Sequence, residues 1–176
     1  RVAEGFRFAT PDDNNGRASS TPFLRPQTSI SYEAGAEWSR HDARVSYSVY
    51  RMELDDEILF DPIQYVNRNL PSSERSGFVV DSAYTLSNEW SLLVNYHYLQ
   101  ADVSEGLYRG NEVPFTSEHT GAFTARFTPA KDLTFSLESL YTGERFKADD
   151  DANSAGKLEA MTLFTLSVAK ESGPWS

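Results

Sequence analysis

The chain has 176 residues, no cysteine and a formal net charge of -10. This acidic balance argues against nucleic acid as a partner, because phosphate binding needs clustered positive charge. The lack of cysteine excludes disulfides and thiolate metal sites. No apolar run approaches the roughly 18 residues that a membrane helix needs, whereas a membrane β-barrel, whose strands alternate, stays open.

Segments that alternate apolar and polar side chains recur along the whole chain, and this period of two predicts β-strands. They cover residues 1–9, 28–40, 44–54, 77–86, 90–102, 119–128, 133–145 and 161–170. Short turns over 40–42, 87–89 and 129–132 alternate with long Gly-, Pro- and Asn-containing connections over 10–27, 55–76, 103–118 and 146–160. No segment of useful length shows a helical period.

The third of these segments has an irregular pattern. Val45, Tyr47 and Val49 share one face, but Met52 and Leu54 fall in the opposite phase. A β-bulge after Tyr50 would restore the apolar face, and we therefore predict one there.

The strict alternation of short and long connections favours an antiparallel up-and-down transmembrane β-barrel segment. Outer-membrane barrels have short turns at the periplasmic end and long loops at the outer end. Two alternatives remain open at this point. One is a small self-contained eight-stranded outer-membrane barrel that serves as an adhesin or structural anchor. The other is a soluble β-sandwich that acts as a binding module.

Each strand has one aromatic-rich face and one mostly polar face. We expect the aromatic face to contact outer-membrane lipid, with the tryptophans beside the short turns at the interface. The predicted lipid-facing residues are Tyr32, Trp38, Tyr47, Phe78, Tyr84, Trp90, Tyr96, Tyr98, Phe123, Phe127, Phe135 and Tyr141. The opposite, lumen-type face carries Glu33, Glu37, Asp81, Asn95, His97, Arg126 and Glu138.

Candidate ligand-binding residues lie on the long connections. Tyr65, Arg68, Tyr108 and Arg109 combine aromatic surface with cationic donors, which suits an anionic ferric chelate. The acidic run 149–151 has the oxygen ligands that calcium uses. It lacks the glycine and the glutamate of an EF-hand loop, and we therefore expect a solvated acidic loop and no metal site.

The sequence contains no catalytic motif. His41, His97 and His119 lack the spacing of a metal or catalytic site, and we interpret them as solvated or lumen residues. No nucleophile elbow, phosphate loop or basic stripe occurs, and serines such as Ser139 have no motif around them. We predict that the protein is not an enzyme and needs no cofactor.

Several motifs resemble the C-terminal part of the barrel of TonB-dependent outer-membrane receptors. The most specific is Leu24-Arg25-Pro26-Gln27-Thr28-Ser29 followed by Ser31-Tyr32-Glu33-Ala34-Gly35, which is similar to the family's L-K-P-E-T-S-x-S-Y-E-x-G segment. Weaker matches follow in the family's order, at residues 4–11, 50–58, 69–70, 75–78, 110–114, 118–119 and 141–145. The ordered set covers nearly the whole chain.

This resemblance implies a barrel of about 22 strands around an N-terminal plug. Such receptors import a scarce nutrient, usually a ferric siderophore or heme, with energy from the inner-membrane TonB complex. Residues 1–176 would then be a partial barrel domain of about seven to eight strands, without the plug, the TonB box and the last strands. We expect the segment to need the remaining strands, because open edges in lipid leave backbone groups unpaired.

Overall fold

The computed structural model describes residues 1–15, 22–61 and 64–171. These ranges contain twelve strands and no helix. The strands are β1 (Val2–Arg7), β2 (Gln27–Arg40), β3 (Ala43–Asp55), β4 (Ile58–Asp61), β5 (Val66–Asn69), β6 (Ser73–Thr85), β7 (Trp90–Val103), β8 (His119–Ala130), β9 (Leu133–Thr142), β10 (Arg145–Phe146), β11 (Lys157–Leu158) and β12 (Met161–Lys170). The predicted all-β class is confirmed.

Eight of these strands form one antiparallel sheet in the order β1-β2-β3-β6-β7-β8-β9-β12. Apart from two small hairpins, each strand pairs with the next one along the chain, which is the up-and-down meander that the sequence predicted. Strands β1 and β12 end the sheet, and no pairing joins them within the described residues. The sheet is therefore an open segment, which matches neither a closed eight-stranded barrel nor a sandwich of two packed sheets.

Two of the long connections contain strands that the sequence did not predict. Strands β4 and β5 form a four-pair hairpin, and β10 and β11 form a two-pair hairpin. Strand β6 also begins at Ser73, four residues before the predicted start. Long connections need partners for their backbone groups, and folding back into hairpins provides them locally.

The register places the predicted rows of side chains on two distinct faces. Cross-strand partners such as Tyr47↔Val80, Val94↔Phe123 and Phe127↔Phe135 connect all twelve predicted aromatic residues on one side of the sheet. We call this side the aromatic face. The other side, the polar face, carries the seven residues expected to line a lumen. Whether the aromatic face contacts lipid stays a prediction.

The prediction of a bulge after Tyr50 is wrong. Strand β3 pairs without interruption with both neighbours, and Met52 and Leu54 simply lie on the polar face. They are apolar there because the long connections fold over this end of the sheet, where Leu54 is buried. The irregular register occurs instead between Phe127 and Ala130, beside Pro129, which has no N–H to donate.

The hydrophobic core lies at the long-loop end and not in the body of the sheet. Leu70, Ala101, Val103 and Val113 form one buried cluster, with Leu59 and Leu99 packed against it. Ala101 and Val103 come from the polar face of β7, while Leu70 and Val113 come from the long connections. The loops therefore bury their own apolar residues against the ends of the strands that lead into them.

Glycine at position 77 is required by a close approach of three strands. A Cβ on Gly77 would clash with the carbonyl oxygen of Tyr98 and would lie 2.8 Å from the hydroxyl of Tyr50. Tyr50 is the direct cross-strand partner of Gly77 and lays its ring over it. The backbone oxygen cannot move without breaking the β6–β7 ladder.

We expect Gly77→Ala to destabilise the intact protein by about 1–3 kcal/mol, because it overpacks a position that has no free space. The measurement is the temperature at which heat-modifiable migration on a gel is lost. Gly121→Ala is the matched control, since its Cβ would lie 3.2 Å from the oxygen of Asn95 and needs only a small shift. Equal losses for both variants would contradict this account.

Candidate functional site

The antiparallel register brings all four long connections to the same end of the sheet. We call them loop 1 (8–26), loop 2 (56–72), loop 3 (104–118) and loop 4 (143–160). The short turns lie at the opposite end. The loop end is therefore where side chains distant in the sequence can meet, and it contains all four predicted ligand-binding residues.

Tyr65 lies in the turn between β4 and β5. Its backbone has a positive φ of 55°, and the residue is 77% exposed. The ring packs edge to face against Phe60, with centroids 6.5 Å apart. This pair presents an accessible aromatic surface on loop 2, and the sequence analysis missed the contribution of Phe60.

Arg68 is engaged by carboxylates. Its Nη2 donates to both carboxylate oxygens of Asp151, at 2.7 and 2.8 Å, and its Nε lies 3.7 Å from Asp61. Both members of the Arg68–Asp151 pair are partly buried. The positive charge of Arg68 is therefore compensated within the protein, and the residue joins loop 2 to loop 4.

Tyr108 and Arg109 lie in a turn of loop 3 between Gly106 and Gly110, which both have positive φ angles of 84° and 88°. Arg109 is exposed and Tyr108 is half-buried. The turn connects to the Arg68 pair through the neighbouring Asn111, whose amide donates to the carbonyl of Asp151 at 2.9 Å. Of the two predicted arginines, Arg109 is the one open to solvent.

The acidic run of loop 4 is structured, so the expectation of a solvated loop is wrong for two of its three members. Asp149 is exposed, whereas Asp150 is 7% exposed and Asp151 is bonded to Arg68. The Asp150 carboxylate accepts the backbone N–H groups of Ser154 and Ala155, each at 2.8 Å. These bonds hold the pKa of Asp150 below its usual range.

The histidines occupy three different environments. His41 lies in the short turn after β2. His97 lies on the polar face, where its Nε2 and the Tyr50 hydroxyl are 2.6 Å apart. His119 is exposed and lies on the aromatic face. It pairs in register with Tyr98, and its Nδ1 is 2.8 Å from the Tyr96 hydroxyl.

Two asparagines that the sequence analysis overlooked hold the loops together. The amide of Asn69 accepts from the N–H of Arg25 and donates to its carbonyl, at 2.9 and 3.0 Å. The amide of Asn153 does the same with the backbone of Glu112, at 2.7 and 3.1 Å. The sequence carries no signal for these two contacts, since the partners lie 44 and 41 positions away in the chain.

Over the part of the chain that the structure describes, no group of three His, Cys, Asp or Glu side chains could hold a metal ion. The same ranges include no helix that is long and apolar enough to cross a membrane.

The three consecutive aspartates allow a matched test of the loop 4 contacts. Asp150→Asn and Asp151→Asn weaken charge-assisted bonds. We expect trypsin to cleave the intact protein after Lys147 about two- to tenfold faster in each variant. Asp149→Asn removes the same charge from an exposed side chain and should leave the rate of cleavage unchanged. Equal rates for all three variants would show that these bonds do not order the loop.

The lowered pKa of Asp150 also predicts a pH dependence. A carboxylate with a depressed folded-state pKa stabilises the fold above its usual pKa, and this stabilisation is lost as the pH falls through the lowered value. After correction for intrinsic rates, the amides of Ser154 and Ala155 should stay protected from hydrogen exchange at pH 5 and lose protection below about pH 4. Loss of protection already at pH 5 would contradict the assignment.

Comparison with known proteins supports the resemblance. The family model described as "TonB dependent receptor-like, beta-barrel" matches residues 1–172. Three solved structures share the fold. They are the ferric yersiniabactin uptake receptor FyuA from Yersinia pestis (18% identity, TM-score 0.69, 95% of this chain and 26% of that chain), the siderophore receptor PiuA from Acinetobacter baumannii (14%, 0.74, 98% and 27%) and the copper transporter OprC (14%, 0.72, 97% and 28%).

At these identities the likeness establishes the fold, and the chain spans about a quarter of the length of the structures that it matches. The match of the family model over nearly the whole sequence establishes the family. This chain belongs to the β-barrel family of TonB-dependent receptors.

Proposed function

We propose that this chain forms part of the barrel wall of a bacterial outer-membrane receptor that imports a ferric siderophore or another iron complex, energised through TonB. The observation that carries the proposal is the family match over residues 1–172. Receptors of this family transport nutrients and are not enzymes. Two of the similar structures described above are named as receptors for iron chelates.

The dimensions of the aromatic face support a location in the membrane. On β7 the outward positions from Trp90 to Tyr98 are apolar or aromatic, and Gln100 and Asp102 follow on the same face. This nine-residue span matches the roughly 9–11 residues that a tilted strand needs to cross a bilayer. The band is bounded by polar residues where the lipid headgroups would begin.

Rings cluster at both borders of this band. Trp90, Phe127 and Phe135 form a ladder near the short turns, with Trp90 and Phe127 stacked at 4.6 Å between centroids. Phe78, Tyr98 and the neighbouring His119 form a second ladder near the loop end, with centroids 5.3 to 5.6 Å apart. Two aromatic girdles at the two interfaces are typical of outer-membrane barrels.

The partners of the chain follow from its open edges. The outer edges of β1 and β12 would leave backbone N–H and C=O groups unpaired in lipid, at a cost of several kcal/mol for each group. The remaining barrel strands of the receptor would satisfy these groups, and a plug would occupy the lumen. The polar face of this segment suits contact with water and with such a plug.

The ligand surface would lie at the loop end, which faces the cell exterior in outer-membrane barrels. Exposed Tyr65 and Phe60, together with Tyr108 and the exposed Arg109, offer rings and a cation to an anionic ferric chelate.

The decisive experiment is uptake by a strain in which the whole receptor is deleted. The panel contains ⁵⁵Fe-labelled catecholate, hydroxamate and citrate complexes, together with cobalamin as a cobalt compound. We expect the strain to lose uptake of one of the iron chelates. The complemented strain should regain it, and a strain that lacks TonB should not take it up. Unchanged uptake of every chelate in the panel would refute the proposed function.

Arg109 provides a test of the ligand surface. Removing its charge with Arg109→Gln should weaken binding of the transported chelate about five- to tenfold, as expected for the loss of one charge-assisted hydrogen bond. Arg40→Gln is the matched control, because Arg40 is an exposed arginine beside a short turn at the opposite end. Equal affinities for both variants would exclude Arg109 from the binding surface.

A further inference from the structure

The link between loop 3 and loop 4 imitates one rung of a β-ladder. Asn153 Oδ1 accepts from the N–H of Glu112 at 2.7 Å, and Asn153 Nδ2 donates to the carbonyl of Glu112 at 3.1 Å. An antiparallel strand partner would make the same two bonds through its backbone. The side chain of Asn153 thus pairs with loop 3 as a strand residue would.

Asn153 is fixed from its own side as well. Its backbone has a left-handed φ of 52°, and both its N–H and its Nδ2 donate to the carbonyl of Asp150. The Asp150 carboxylate then binds the N–H groups of Ser154 and Ala155, which follow directly. A left-handed asparagine is tolerated in such a turn because its short amide can satisfy local backbone groups.

Asp151 extends the link to a third element. Its carboxylate accepts two bonds from Arg68 of β5, and its carbonyl accepts from Asn111 of loop 3. Lys157 adds an ion pair to Glu112 at 2.8 Å, and the N–H of Phe115 donates to the carbonyl of Phe146 at 3.0 Å. Loop 4 is therefore tied to loop 3 at several points and to β5 at one.

Loop 3 in turn is anchored on the sheet. The N–H groups of Gly110 and Val113 donate to the carbonyls of Val103 and Ala101 at 2.8 Å each. Val113 is 1% exposed, and its side chain belongs to the apolar cluster at the loop end. Hydrogen bonds and the buried Val113 thus connect β7 to loop 3, and the contacts of Asn153 and Asp151 connect loop 3 to loop 4.

We infer that loop 3, loop 4 and strand β5 form a single preassembled body before any ligand arrives, with Asn153, Asp150 and Asp151 as its positioning residues. Separate loops of this length are ordinarily the most mobile parts of a fold. Here, burial and reciprocal side-chain bonds order them in advance. A preordered surface binds without the entropic cost of ordering at the moment of contact. This inference concerns the unliganded protein and does not depend on the proposed function.

The test is the distance distribution between two spin labels in the unliganded full-length receptor, measured by pulsed electron paramagnetic resonance. The segment has no native cysteine, so Leu107→Cys in loop 3 and Ala152→Cys in loop 4 introduce the only labelling sites within it. Both positions are exposed. We expect one narrow distribution in the parent and a broad one after Asn153→Ala. Asn88→Ala, in an exposed turn at the opposite end, is the matched control and should leave the distribution narrow.

A broad distribution in the parent would overturn the inference, and a narrow one after Asn153→Ala would remove Asn153 from its role. A second measurement covers the case in which Asn153→Ala does not assemble. In the otherwise unmodified receptor the amide of Glu112 should exchange hydrogen slowly. Asn153→Asp, which replaces the Nδ2 donor by a charged oxygen facing the carbonyls of Glu112 and Asp150, should accelerate this exchange about tenfold. Exchange of the Glu112 amide at the rate of an open loop in the unmodified receptor would also overturn the inference.

Discussion

The structure depends on one constraint, which is that every backbone N–H and C=O of the eight long strands must pair with a neighbour. In a membrane there is no water to replace a missing partner, and each unpaired group costs several kcal/mol. An uninterrupted antiparallel ladder satisfies this constraint for the six inner strands and leaves only the outer edges of β1 and β12 to further strands. The ladder from β1 to β12 runs almost without irregularity, and its one shift of register lies beside a proline that cannot donate.

The other features of the sheet follow from this ladder. Because pairing in register aligns alternate side chains, twelve aromatic residues on six connected strands fall on one face without any need for a core between them. The same pairing sends all long connections to one end. Tight cross-strand packing such as that of Tyr50 over Gly77 then determines where a side chain larger than hydrogen cannot be accepted.

The sequence was informative where the period of two operates and uninformative where it stops. The strands, the two faces and the alternation of short and long connections could all be predicted, since each depends on local alternation. The prediction of a bulge after Tyr50 was wrong because it assumed that the apolar Met52 and Leu54 must lie on the aromatic face. Their apolar character instead reflects the loops that cover the polar face at that end, which is a long-range effect that local pattern does not contain.

The candidate site shows the same limit more strongly. Loop composition singled out Tyr65 and Arg109 as candidates, and both are exposed, but it could not show that Arg68 is already neutralised by Asp151, 83 positions away. Nor could it show that an acidic run, which reads as solvated, is partly buried and bonded.

Side chains that pair across loops carry no periodic signature, because a single asparagine or aspartate is enough to make each contact. The body of the sheet is held by a repeated backbone interaction, which sequence periodicity reveals. The loop end is held by individual side-chain bonds, which only the folded chain reveals. The contacts at the loop end can therefore change by single substitutions without any change to the ladder.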